Sequence, residues 1–167
     1  MNAIELLRGQ FKAVHQFLDM TIADCTPAAA TRRDEGWNIK PIASIYAHIA
    51  ASEDFMVNTF VRGVEPLLMR DGWGEKLGIP GNPTLNNLDD FSAPLSAVRE
   101  YAAAVFKATD EYLSQAEESE LEREIDTPIG KMPAITFLAN ITATHCPGHM
   151  GEIAALKGVQ GLKGLPF

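Results

Sequence analysis

Apolar residues recur at steps of three and four over four stretches of the chain, and that period predicts four long helices. In the first, from about Asn2 to Asp24, Ile4, Leu7, Phe11, Val14, Leu18 and Ile22 fall on one face. Pro27 follows just past its end, and a proline cannot continue a helix. The second begins near Pro41 and closes at Gly63, with a stripe of Ile42, Ile45, Ile49, Met56 and Phe60. The third begins near Pro94, with Asp90 or Ser92 available to cap its first N–H groups. Its stripe is Leu95, Val98, Ala102, Val105, Thr109, Tyr112 and Ala116. The fourth runs from about Pro133 to Val159, with Phe137, Leu138, Ile141, Ile153 and Leu156 on its inner side.

The connections are unequal. Residues 63 to 93 hold five glycines and three prolines, with a short helical stretch near Val64–Met69. A connection of that length in a small domain is expected to be a crossover, a lid or an ordered functional loop. Residues 117 to 132 carry Glu117, Glu118, Glu120, Glu122, Glu124 and Asp126, and read first as a solvated acidic turn. A short strand pair around Glu124–Lys131 is the alternative, because Thr127-Pro128-Ile129-Gly130 has turn chemistry. The expected fold is all-α, a four-helix bundle with one long crossover connection. Its 167 residues amount to one domain, 1–167.

Composition narrows the function. Fourteen basic against 22 acidic residues give a net charge of −8, which leaves no global cationic face for nucleic acid and disfavours anionic lipid. Met132 to Gly151 lacks charged residues, yet Asn140, Thr142, Thr144, His145 and His149 would be costly in hydrocarbon, so no membrane span is expected. Cys25 and Cys146 are too few for a disulfide scaffold, and no secretory signal opens the chain. The expected setting is the reducing cytoplasm.

Candidate chemistry lies in the histidines. His145 and His149 stand four apart on the fourth helix, where two imidazoles can share one cation. His48 borders the apolar stripe of the second helix among Ala47, Ala50 and Ala51, and small residues leave room beside an inward ligand. If the two helices are neighbours, three imidazoles converge and leave coordination positions open, as in catalytic sites. Taken singly, a histidine on an apolar face is more often a hydrogen-bonded core residue; the pair together with His48 shifts the balance to metal. His15 borders the first stripe and is a rival ligand. The residues after His145 are Cys146, Pro147 and Gly148, so the glutamate of a zincin motif is missing. Pro147 removes a backbone hydrogen bond and is expected to kink the helix near the site. Glu152, three residues after His149, is placed to orient an imidazole, accept a proton or coordinate. Cys146 reads as a buried inert thiol, and Ser44 as a packing residue or a hydroxyl behind His48.

With the segments IYAHIAASEDF and HCPGHMGEIAALKG (an HxxxHxGE pattern) and the tail GLKGLPF, the chain resembles the DinB-like superfamily of damage-inducible and YfiT-type proteins over nearly its whole length. That resemblance implies a four-helix bundle holding a divalent metal on three histidines, by motif match His48, His145 and His149. Members are commonly dimers. Some transfer low-molecular-weight thiols such as bacillithiol, mycothiol or glutathione, or isomerise maleylpyruvate with a thiol, and others are described as hydrolases.

Three functional readings follow. The first is a metal-dependent thiol S-transferase. It carries zinc or nickel, with iron as a further candidate, and takes a low-molecular-weight thiol as cosubstrate. Its electrophile enters beneath the 63–93 connection, and Glu152 manages protons. The second is a metal-dependent hydrolase. The third is a non-catalytic bundle that binds metal or a small ligand, or meets a protein partner through Trp37, Trp73 and Phe167. A small-molecule substrate and a homodimer are expected for the enzyme readings.

Overall fold

The structure, a computed structural model, describes residues 2–79, 81, 88 and 91–167. It is mostly helical, with one small two-stranded sheet. Helix α1, Ala3–Ile22, starts at Asn2, whose side chain accepts from the Glu5 N–H while the Glu5 carboxylate accepts from the Asn2 N–H. This reciprocal cap satisfies two orphan donors at once. A short helix α2, Pro27–Thr31, follows. Helix α3, Ile42–Asp54, continues without a break into a π-helical turn over Phe55–Val61. Gly63, at a φ of 67° that favours glycine, then turns the chain away.

Two short helices, α4 (Leu67–Arg70) and α5 (Trp73–Leu77), occupy the described part of the 63–93 connection. Helix α6, Leu95–Gln115, starts after Pro94 with no side-chain cap, so Ser92 does not play the capping role; Asp90 lies outside the described residues. The acidic stretch is more ordered than a solvated turn. It forms α7, Glu118–Glu122, and an antiparallel hairpin of β1 (Glu124–Thr127) and β2 (Gly130–Pro133) in which Ile125 faces Met132. Buried Leu121 and Ile125 anchor it, which the surrounding charge had concealed. Helix α8, Ala134–Asn140, passes through a second π-helical turn, Ile141–His145, into α9, Cys146–Val159.

Helix α1 lies against α6 and α9, and α3 lies against the same two. The buried residues form two apolar clusters. One takes Leu18 and Ile22 of α1, Ile42, Ile45, Tyr46 and Ile49 of α3, Val98, Tyr101, Ala102 and Val105 of α6 and Cys146, Met150, Ile153 and Leu156 of α9. The other takes Ile4, Leu7 and Phe11 of α1, Val57 and Val61, Leu113, and Phe137, Leu138 and Ile141. Both π-helical turns lie where the chain passes from one cluster to the other. They shift the phase of the buried face, so Val57 and Val61 are buried while Met56 and Phe60 of the expected stripe are only half-buried.

Polar groups occupy the junction. Asp54 is fully buried and accepts four hydrogen bonds: from Asn58 Nδ2 (2.6 Å), the Leu67 and Leu68 N–H groups (2.9 and 2.8 Å) and the Tyr101 hydroxyl (2.7 Å). It therefore ties the start of the 63–93 connection to α3 and α6. Glu53, also buried, accepts from the Thr109 hydroxyl and contacts His15 Nε2 at 2.8 Å. At the far end, buried Lys157 donates to the Thr21 carbonyl and the Asp24 carboxylate, fixing α9 to the end of α1. No described helix is long and apolar enough to cross a membrane.

Candidate metal centre

The sequence raises three histidines on two helices, and the structure brings those three together. One ring nitrogen from each of His48, His145 and His149 lies within 4.8 Å of the others. The ring centroids are 5.1, 4.8 and 4.7 Å apart. His48 Nε2 and His145 Nε2 are 3.2 Å apart. Two nitrogens on a tetrahedral zinc ion, each about 2.0–2.1 Å from the metal, stand about 3.3 Å from one another. The first two rings are thus already at coordination spacing, and a nitrogen of the third lies within 4.8 Å of them.

Local sequence explains the convergence. His145 ends the second π-helical turn with right-handed helical backbone angles, so it leads directly into α9 and stands one turn before His149 on the same face. Ala47, Ala50 and Ala51 let α3 approach closely enough for His48 to reach them. Pro147 would normally clash with the carbonyl of Ala143 and cost a hydrogen bond. Here the preceding π-helical turn takes up the strain: the Cys146 N–H reaches back to the Ile141 carbonyl, and His145 and Cys146 keep right-handed helical backbone angles. A π-helical turn at a functional site is a recurrent device.

The donor set suits a cation. The His149 Nδ1–H donates to Glu152 Oε2 at 2.6 Å, which leaves its lone pair on Nε2. Burial, with a smaller contribution from His149, holds the His145 pKa down at about 4, so this ring is a neutral ligand across the physiological range. His145 Nδ1 is buried with no hydrogen-bond partner among the described residues. The Ser52 hydroxyl approaches the His48 ring at 3.4 Å.

Other candidates fall outside the cluster. His15 bonds to Glu53 and stacks on Phe106 with centroids 3.7 Å apart, so it serves the buried polar junction. Ser44 is buried, and its hydroxyl has no partner among the described residues; Ser52 stands beside His48 in its place. Cys146 is buried, and burial with the Glu53 charge pushes its thiol up to about 12, which makes it a poor nucleophile.

A cleft of about 550 Å³ opens beside the cluster. His145, His149 and Glu152 form its polar end. Met56, Phe137, Pro128 and Ile129 form its apolar wall. Pro128 and Ile129 of the β1–β2 turn are part of the described lining, so the hairpin forms one side of the cleft. The helix-stripe pattern had placed Phe137 on an inner side but held no sign of the hairpin's position. The one local hint is an isoleucine inside a four-residue turn.

Compared with known proteins, the chain matches the sequence profile of the DinB superfamily over residues 3–153. It is also similar to the crystal structure of a conserved protein from Enterococcus faecalis. That match has a TM-score of 0.78 and 20% sequence identity, and it covers 96% of this chain and 99% of that one. At this identity the likeness concerns the fold. No curated protein matches.

Proposed function

The chain belongs to the DinB superfamily, and we propose that it is a metal-dependent enzyme: a four-helix bundle whose His48, His145 and His149 hold a divalent ion beside a substrate cleft. The carrying observation is that three half-buried imidazoles from two helices converge and that two of them, His145 and His149, line a largely apolar cavity. A sealed structural site would have no such opening. Imidazole ligands suit zinc or nickel, and iron as well.

Our first reading is thiol S-transfer. When bound, the ion supplies the Lewis acidity that keeps a low-molecular-weight thiol deprotonated at neutral pH. The chain's own residues do the rest. Glu152 fixes the His149 ring and its half-exposed carboxylate can take up a released proton. Met56 and Phe137 exclude water from the wall against which an organic electrophile would lie. Hydrolysis is the second reading, favoured by a carboxylate at the polar end of the cleft that could serve as general base towards water. The enzyme would act on a small molecule in the cytoplasm, as a homodimer.

The test is to load the purified protein with zinc or nickel. It is then assayed with bacillithiol, mycothiol or glutathione plus monochlorobimane, and separately with ester and amide panels. Conjugation that disappears in His48→Ala and His145→Ala supports the first reading. Ester or amide cleavage without conjugation replaces it with the second.

A further inference from the structure

The cleft beside the histidines carries a charge pattern that restricts what can enter it. Among its described lining residues Glu152 is the one formally charged group, and neither lysine nor arginine is present. The hairpin that forms one side of it brings Glu124 and Asp126, and its single cation, Lys131, is 60% exposed and lies 4.0 Å from Glu124. Away from the histidines, an anionic group would give up its hydration there with no cationic side chain in exchange, which is costly in a partly desolvated cavity.

The wall opposite is built for apolar contact. Ile129 is 66% exposed although it is a large hydrophobic residue. Its position is pinned: the Ile129 N–H donates to Thr127 Oγ1, and that hydroxyl donates to the Gly130 carbonyl at 2.6 Å. Gly130 itself has a φ of 116°, so the turn depends on a glycine there. An isoleucine held at the edge of a cavity is covered only when something apolar lies against it. Met56 and Phe137 continue the same surface inward. The cavity's size lies within the range of small-molecule sites.

We propose that this cleft takes an uncharged, largely apolar small molecule whose polar end meets the histidine cluster, and that Ile129 on the β1–β2 turn is its specificity-determining residue. This rests on reading the cluster as the reacting centre. It assigns the apolar cavity to the organic substrate and keeps the carboxylates of any thiol cosubstrate outside it.

A matched pair of unreactive probes tests it: 4-methylbenzyl alcohol, which is neutral, and 4-(hydroxymethyl)benzoate, which is anionic. Each is titrated into metal-free and zinc-loaded protein while backbone amide resonances are followed. The neutral probe should bind about tenfold more tightly to the metal-free form, with shifts centred on Ile129, Phe137 and Gly148. Ile129→Lys should abolish or reverse that preference, and its exposed position keeps the fold intact, checked by an unchanged melting temperature. Equal or tighter binding of the anion to the unaltered metal-free protein would overturn the proposal, as would shifts remote from the cleft or an Ile129→Lys variant with the original preference. Failure of the metal reading would be seen separately, as zinc that does not bind while the neutral preference persists.

Discussion

Lowering the pH of the metal-free protein should destabilise it through His145, and the size of the effect follows from the site. The folded protein holds this ring's pKa at about 4, whereas the unfolded chain protonates it at the ordinary 6.5. The unfolded state therefore binds the extra proton first. Stability from this group is complete above pH 6.5 and is lost as pH falls towards 4, the direction expected for a buried neutral histidine. The loss is about 2 kcal/mol by pH 5 and about 3 kcal/mol below pH 4. Many carboxylates titrate over the same range, so the useful quantity is a difference. Urea unfolding in EDTA at pH 7 and pH 5 is compared for the native sequence and for His145→Gln, which keeps a polar side chain but cannot titrate. The native sequence should lose about 2 kcal/mol more than the variant across that interval. Parallel losses in the two proteins would refute the reasoning, because His145 would then be protonated as readily in the folded state as in the unfolded.

Zinc at a hundred times its dissociation constant should raise folding stability by about 3 kcal/mol, and His48→Ala should abolish the gain; thermal melts with and without zinc check this. Glu152→Gln removes the charge from the bond to His149 and should weaken zinc affinity about 10- to 100-fold, measured against a chelating dye. If turnover at saturating zinc also falls, Glu152 handles a proton as well as positioning the ring. Asp54→Ala strands four buried donors and should cost about 4 kcal/mol, lowering the melting temperature by about 10 °C. Light scattering should give twice the chain mass at micromolar concentration if the enzyme is a homodimer.

How much of this could be read from the sequence depended on whether a regular period carried it. Helices α1 and α6 are plain amphipathic rods, and most of their buried residues fall on the stripes that the period predicts; Thr21, Tyr101 and Leu113 are buried beside those stripes, and Tyr112 and Ala116 at the end of the second are only half-buried. The histidine pair was legible for the same reason, since α9 is regular from Cys146 onward. His48 was legible through its alanine neighbours. A π-helical turn has no such signature. Met56 and Phe60 were therefore assigned to the core, and Val57, Asn58 and Val61 took their places. The acidic run of 117–132 reads first as a solvated turn, which hides the buried Ile125 of the hairpin, and no period marks Glu53 and Asp54 as buried junction groups. The part the β1–β2 turn plays in lining the cleft had no signal in the sequence either, because no period links Pro128 and Ile129 to the histidine helices.

The misreadings share a location with the chemistry, and the connection is physical. A regular α-helix keeps one buried face along its length, so a rod that serves one apolar cluster and then the other has to change phase between them. The wide turns at Phe55–Val61 and Ile141–His145 supply that change. At the second of them, Ile141 is buried in one cluster and Cys146 in the other, while His145 between them is left at the boundary. There it is shielded enough to stay neutral, yet it still borders the cleft. Pro147 favours the same outcome, because it is accommodated where the preceding turn is wide. Straightening that turn, for instance by deleting one residue of 141–144, would rotate His145 away from His48 while leaving both clusters apolar. A helical protein that no longer binds zinc is the expected result, and retained zinc binding would show that the phase change is not what sets the site.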